Sequence, residues 1–453
     1  MSQNLVFLSD LLLFQKLFSP EKKGMMIYDP RERLTYIRER DVNFLEKALT
    51  EIPQDTFYVD LSKTELSIGA TETDAVVALS YINNPDGTIR WVFLPHEATP
   101  SFLSLYNSGG LKSRLYKTLT QFAWTMGQGK LLSSGTIQLQ LKLYEDVKKR
   151  YGIEESEEVS FFTGTRGENR KVVMEIHRES HTTHFIKIPL TTDTEKLINT
   201  ENEMLNELTK YDFTTLSLPK VSKSGNGYAR LSNIKPGVNI PADRITAIHI
   251  RTQAELYALS NERKAISDSA AWHTITSNME WLKRDLIFSN GIEENDARHM
   301  LHLLRKLYNT LPIGESIPLS VSHGDFTPWN MYCDEQRLYV YDWELARNGI
   351  PMFFDLFHFT FQTTVLRHQK DFPVIKKAIA AWTETNLVKQ LLFKYKINLD
   401  LHLRLYLLFT VSYYLRQYIN EPELLTQSKW MMNVWSQALE EMTQTANNNS
   451  SKA

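Results

Sequence analysis

The chain has little of several things, and each shortage removes a class of protein. A single cysteine, Cys333, stands among 453 residues, which excludes an intramolecular disulfide and any all-cysteine metal site and fits a reducing compartment. No stretch reaches the roughly 18 consecutive apolar residues that a membrane-crossing helix needs, so no membrane span and a cytoplasmic location are expected. Neither sign of charge dominates. Lys plus Arg is 51 against 53 for Asp plus Glu, a net charge of −2, and without a basic excess no nucleic-acid backbone is expected as a partner. No period of about 20–50 residues recurs, which argues against a solenoid or propeller. The opening run Leu5 to Phe18 is interrupted by Asp10 and Lys16 and has neither a basic stretch before it nor a cleavage site after it. It reads as an amphipathic packing helix, not as a signal peptide or membrane-docking segment.

What is present is an ordinary globular composition, 42% hydrophobic and 23% charged, in a chain long enough for about three domains. Residues 1–155 alternate β-rich runs (Phe57 to Leu61, Ala75 to Ile82, Ile89 to Leu94) with helical stretches (Phe44 to Ile52, Leu111 to Met126, Ile137 to Tyr151), the pattern of a small α/β domain. From Ser160 strands follow one another. Val172 to Ile176 and Thr183 to Ile188 flank a polar turn, a helical stretch runs from Thr194 to Leu208, and Gly227 to Leu231 reads as a strand before Lys235-Pro236-Gly237 breaks the pattern. Past Pro241 the chain is mostly helical, with Ala297, Met300, Leu301, Leu304, Leu307 and Leu311 on one face. Two short strands interrupt it, near Leu319 to Ser322 and Leu338 to Tyr341. Helical runs return over Asp355 to His368, Phe372 to Thr385, Leu401 to Ile419 and Glu421 to Met442, and the Asn- and Ser-rich tail 443–453 is expected to be disordered.

The chemistry concentrates in His323-Gly324-Asp325-Phe326-Thr327-Pro328-Trp329-Asn330, followed by Tyr341-Asp342-Trp343-Glu344. An aspartate five residues before an asparagine on a loop, with a second aspartate at the end of the next strand, is what Mg-assisted phosphoryl transfer needs. One carboxylate orients and deprotonates the acceptor hydroxyl, while the amide and the second carboxylate hold Mg²⁺ against the phosphates. Turn formation and strand capping explain Asp325, Asn330 and Asp342 singly, but not their succession.

These two motifs resemble those of the aminoglycoside phosphotransferase and choline kinase family, and the resemblance extends over about residues 156–442. It implies an α+β, bilobal protein-kinase-like fold with a small β-rich lobe (156–235) and a larger helical lobe (236–442), here preceded by a separate small α/β domain (1–155) of open role. It implies ATP and Mg²⁺ as cofactors, Asp325 as the catalytic residue, and Asn330 and Asp342 as metal ligands. Lys187, inside the apolar run Phe185-Ile186-Lys187-Ile188, needs a partner for its ammonium, and the resemblance makes it the nucleotide-phosphate lysine. Glu201 or Glu203 is its carboxylate partner. They stand two apart on a helix and face different ways, so only one of them pairs, with Glu201 favoured by its spacing to Leu205 and Leu208.

The remaining parts are less marked in the sequence. Gly164-Thr165-Arg166-Gly167-Glu168-Asn169-Arg170 precedes the lysine strand and is a candidate phosphate cover through Gly164 and Asn169 or Arg170, although alone it reads as a hairpin turn and it departs from a full glycine-rich pattern. Ser232 and Ile234 sit where the family's inter-lobe link binds the adenine edge. Asp355, after Pro351, matches the acidic residue that anchors the catalytic loop and equally suits a helix start. His323 has a structural role by resemblance, with a general base as the other reading. Glu344 is a candidate aid to a second metal, and Cys333 reads as buried packing. Three other features are set aside. His177, His181 and His184 fall in a hairpin whose alternation does not converge them, Gly127-Gln128-Gly129-Lys130 reads as a helix end, and the apolar run from Trp430 reads as core. The expected function is transfer of the ATP γ-phosphoryl group to a hydroxyl of a small molecule, a sugar, aminoglycoside or choline-like compound. The alternative is a weakly catalytic nucleotide-binding scaffold that presents residues 1–155 to a partner. Trp272, Trp281, Tyr413 and Tyr414 offer stacking surfaces for an acceptor but read first as core.

Overall fold

The structure is a computed structural model that describes residues 2–450 apart from 23, 30–32, 39–44, 47–55, 61–65, 70–73, 96–102, 104–110, 127–131, 165–169, 179–180, 224–226, 237–242, 261, 286–293 and 420–423. The chain divides into two compact units. The first comprises residues 1–202 and 219–233, the second 203–218 and 234–453. An α+β architecture results, with a β-rich unit followed by a helical one.

Among the described residues of the first unit thirteen strands form one sheet. Five of them frame the lysine strand and its neighbours: β1 (Ile89–Phe93), β2 (Glu158–Phe162), β3 (Val172–Arg178), β4 (His181–Ile188) and β5 (Ala229–Ser232). Strand β3 pairs antiparallel with both β2 and β4, and β4 pairs with β5. The boundary read from the sequence at 155/156 lies inside this sheet. β1 pairs antiparallel with β2, Trp91 opposite Phe162 and Val92 opposite Phe161, and one apolar core runs from Phe14 and Leu17 through Ile68, Ile137 and Val159 to Met174 and Ile186. The physical reason is the edge. Strand β2 is short and apolar with Val159, Ser160 and Phe161 all buried, and left uncovered it would present unpaired amide and carbonyl groups to any passing strand.

Local readings in this region hold in part. The expected strands at Phe57, Ala75 and Ile89 are present as Thr56–Asp60, Val76–Asn83 and Ile89–Phe93. The helical stretch expected from Ile137 is a strand, Gly135–Gln140, before it becomes a helix, Leu141–Arg150. Buried Ile137 and Leu139 alternate with half-exposed Gln138 and Gln140, a period of two that marks a strand. Within the stretch expected as helix around 44–52, the described residues Leu45–Glu46 are strand. Gly127 to Lys130 lies outside the described residues. His177 is buried within β3. Its ring bonds Ser160 and Thr182, and burial lowers its pKa to about 4. Among the described residues no group of three His, Cys, Asp or Glu is placed to hold a metal ion.

The second unit packs helices around one large core that includes Leu304, Phe353, Phe357, Tyr406, Leu408 and Trp435. Strand β6 (Ser316–Ser322) leads into the motif loop 323–330. A hairpin of β7 (Met331–Cys333) and β8 (Leu338–Val340) comes next, and β9 (Arg347–Pro351) then returns antiparallel to β6. After β9 comes helix α1 (Phe354–Gln362), every residue of which is buried, and α2 (Leu399–Tyr418) packs across it. The run from Trp430 is core, with Met431, Val434, Trp435 and Leu439 buried. The tail expected to be disordered continues the last helix, Thr426–Ser450. Extending an established helix costs little once its nucleus is packed, and Met442 and Thr443 are still buried. Among the described residues no helix is long and apolar enough to cross a membrane.

Candidate active site

The β7–β8 hairpin brings an asparagine and an aspartate twelve residues apart back towards one another. Asn330 immediately precedes β7 and Asp342 follows β8, and the antiparallel pairing returns the chain so that the Tyr341 N–H donates to the Asn330 carbonyl at 2.8 Å. Asp342 sits in the left-handed region at φ 64°. That conformation is disfavoured for most side chains but tolerated by aspartate, and such backbone strain collects at functional positions.

The loop between β6 and the hairpin is pinned from beneath. Asp355, 1% exposed at the start of α1, accepts from the Ser322 hydroxyl at 2.7 Å and from the backbone N–H of His323 at 2.8 Å and of Gly324 at 3.1 Å. The Gln253 amide adds a fourth bond at 3.2 Å. Gly324 adopts φ +82°, and a Cβ there would collide with the backbone carbonyl of Leu345, so the loop lies against the segment after Asp342 closer than any side chain allows. His323 is fully buried. Its Nδ1 accepts from the Asp325 N–H at 3.2 Å, so its Nε2 carries the proton and donates to the Tyr341 carbonyl at 2.7 Å. Both ring nitrogens are committed to the backbone. This is the structural role, and it leaves no free nitrogen for a general base.

Asp325 is left partly open, its side chain 27% exposed. Asn330 Nδ2 donates to its carboxylate at 2.8 Å and to its backbone carbonyl at 3.0 Å. His358 Nε2 donates to the other carboxylate oxygen at 3.1 Å. Both partners of the Asn330 NH₂ are pure acceptors, so the amide orientation is determined and its Oδ1 faces elsewhere as an available acceptor. An amide oxygen beside a carboxylate suits Mg²⁺, which takes few protein oxygens and completes its shell with water and phosphate. No motif in the sequence points to His358. The signal for it is the Asp355-x-x-His358 spacing, one helical turn, which puts both side chains on the face of α1 beneath the loop.

In the first unit Lys187, on β4, forms an ion pair with Glu201 at 2.6 Å, the two side chains 10% and 1% exposed. Glu203 is exposed, so the choice between the two glutamates falls on Glu201. Gly164 takes φ +70° and its carbonyl accepts from Asn84 Nδ2 at 3.0 Å; Asn169 lies outside the described residues. Arg170, a candidate phosphate contact by its place in the sequence, is otherwise engaged. It pairs with the buried Asp10 at 2.7 Å and donates to the Thr163 carbonyl at 3.0 Å. Of the two residues expected at the adenine edge, Ser232 gives its N–H to the Lys220 carbonyl at 3.0 Å and Ile234 gives its N–H to the Tyr341 hydroxyl at 2.9 Å. Cys333 is buried, and burial pushes its thiol up to about 11, which suits packing and not a nucleophile. Trp272 stacks on Tyr308 in the core, whereas Tyr413 and Tyr414 line a cleft beside Gly324 and His358.

The motif that places a loop aspartate ahead of an asparagine and an aspartate after the following hairpin is the one by which the sequence resembles the aminoglycoside phosphotransferase and choline kinase family. Residues 240–383 match the model of that family, the phosphotransferase enzyme family. The resemblance drawn from His323 to Glu344 is thereby borne out. A search of curated proteins finds no match. Among solved structures the chain is similar to the GDP complex of an aminoglycoside 2'-phosphotransferase (17% identity, 65% of this chain and 93% of that one, TM-score 0.39). It is also similar to a fructosamine-3-kinase of Haemophilus somnus (13%, 67% and 96%, TM-score 0.37) and to a glucosamine kinase (16%, 67% and 84%, TM-score 0.36).

Proposed function

We propose that this chain is an ATP- and Mg²⁺-dependent phosphotransferase that moves the γ-phosphoryl group to a hydroxyl of a small molecule. The observation that carries the reading is the orientation of Asn330, whose NH₂ braces the Asp325 carboxylate and leaves its Oδ1 as an acceptor, while its backbone carbonyl takes the N–H of Tyr341, the residue before Asp342. One side chain thus links a base to a metal-binding pair. Lys187, held by Glu201, supplies a charge-assisted donor for phosphate oxygens. Asn330 Oδ1 and the Asp342 carboxylate hold Mg²⁺, which neutralises charge on the phosphates. Asp325 accepts the proton of the attacking hydroxyl, and the bonds from Asn330 and His358 aim its oxygens. Ser232 and Ile234 are the candidates for the adenine edge by the resemblance. The first choice of acceptor is a sugar or polyol.

The role assigned to Asp325 separates chemistry from binding. Asp325→Ala is expected to lower turnover by about 10²- to 10⁴-fold, the range for loss of a positioned base, while calorimetry finds Mg-ATP affinity within about twofold of wild type. Equal loss of turnover and affinity would place Asp325 in the nucleotide site and defeat the assignment.

A further inference from the structure

Beside the catalytic loop lies a cleft with about 410 Å³ of empty space, part of it open to solvent. Gly324 and His358 form the wall nearest Asp325, and Phe409, Thr410, Tyr413 and Arg347 form the rest of its functional lining. Arg347 enters from β9, where the sheet register sets it directly opposite Ser322, the last residue of β6 before the loop that carries Asp325.

Arg347 is the fixed positive charge of this cleft. Its guanidinium carbon lies over the Phe409 ring, 5.4 Å from the centroid, a cation–π contact that uses none of its N–H donors. Among the described residues no carboxylate forms an ion pair with it and no acceptor receives a hydrogen bond from its side chain, although Arg337, Arg404 and Arg416 of the same unit all have such partners. Asp325 is taken by Asn330 and His358. A half-buried guanidinium with its donor edges free is the usual complement of a planar or tetrahedral oxyanion, which it binds through two parallel hydrogen bonds.

We propose that Arg347 recognises an oxyanion, a carboxylate or a phosphate, on the acceptor. The assignment rests on the phosphotransferase reading for calling the occupant an acceptor, and it narrows the acceptor to a hydroxyl compound that carries negative charge. Phe409 and Tyr413 cover the carbon skeleton, and the hydroxyl to be phosphorylated points to the Asp325 side of the cleft.

The test uses the full chain saturated with Mg²⁺ and AMP-PNP and compares four probes by calorimetry: gluconate, glucose 6-phosphate, glucose and kanamycin. At least one of the two anions is expected to bind about tenfold or more tightly than glucose, and the better of them identifies the oxyanion. Arg347→Gln removes that preference, and Arg347→Lys, which keeps the charge but not the paired donors, retains part of it at an unchanged melting temperature. The proposal is overturned if neither anion binds more tightly than glucose, if kanamycin binds best, or if Arg347→Gln keeps the anion preference. Label transfer from γ-labelled ATP, measured on the same probes, separates the two layers. Arg347-dependent anion binding with no transfer defeats the phosphotransferase reading alone, and transfer to glucose or kanamycin in preference to the anions defeats the Arg347 assignment alone.

Discussion

Asp325 is held from two sides, by Asn330 Nδ2 at 2.8 Å and by His358 Nε2 at 3.1 Å. The His358 ring is 1% exposed, and among the described residues its Nδ1 has no hydrogen-bond partner. Facing a carboxylate, Nε2 carries a proton and donates it to Asp325. In that form His358 is a positioning residue that steers the carboxylate. His358→Ala is expected to lower kcat by about tenfold to a hundredfold, the usual cost of losing an orienting partner, with the KM for ATP unchanged and the acid limb of the pH–rate profile displaced. His358→Gln, which keeps a donor, recovers part of the rate. An unchanged pH profile with equal loss in both variants would reduce His358 to packing. Asp325, Asn330 and Asp342 are legible in the sequence because the motif itself spaces them. His358 and Arg347 are not, since a helix turn sets the one beside Asp325 and a strand register sets the other opposite Ser322.

At the scale of elements, the β7–β8 hairpin converts a separation of twelve residues into adjacency, and Asp355 at the start of α1 ties the loop to the helical core through two backbone N–H groups. Strand, turn and helix in this segment are readable from alternation and periodicity. The relation between β1 and β2 is not, because strand pairing depends on partners about seventy residues apart in the chain and a pattern of apolar residues does not say which edge they cover. Its consequence is testable. A chain lacking residues 1–155 exposes the full edge of β2 and loses the part of the core contributed by Phe14, Leu17, Ile68 and Ile137. It is expected to be aggregation-prone and to lose the cooperative unfolding of the β-rich unit, seen by size-exclusion chromatography and urea titration. A soluble, cooperatively folded truncation that binds Mg-ATP like the full chain would show that the sheet beyond β2 is dispensable.

At the scale of the molecule, the catalytic loop stands on a continuous core. Phe326 packs edge-on against His323 and His249, and Phe353, Phe357 and Tyr406 carry the same packing through α1 to α2. Groups set on such a base keep their geometry without help from a ligand, which is what phosphoryl transfer by positioning asks of a protein. The acceptor is beyond the reach of the sequence because the cleft draws on the catalytic loop, β9, α1 and α2, whose side chains meet only after folding. The central claim is that these parts perform phosphoryl transfer, and the measurement that meets it most directly is incubation of the wild-type chain and Asp325→Ala with γ-labelled ATP, Mg²⁺ and a panel of hydroxyl metabolites. A labelled small molecule formed by the wild type, dependent on Mg²⁺ and absent with the variant, is the expected result. Mg-ATP bound but no label transferred to any acceptor, or equal labelling by both proteins, would contradict it.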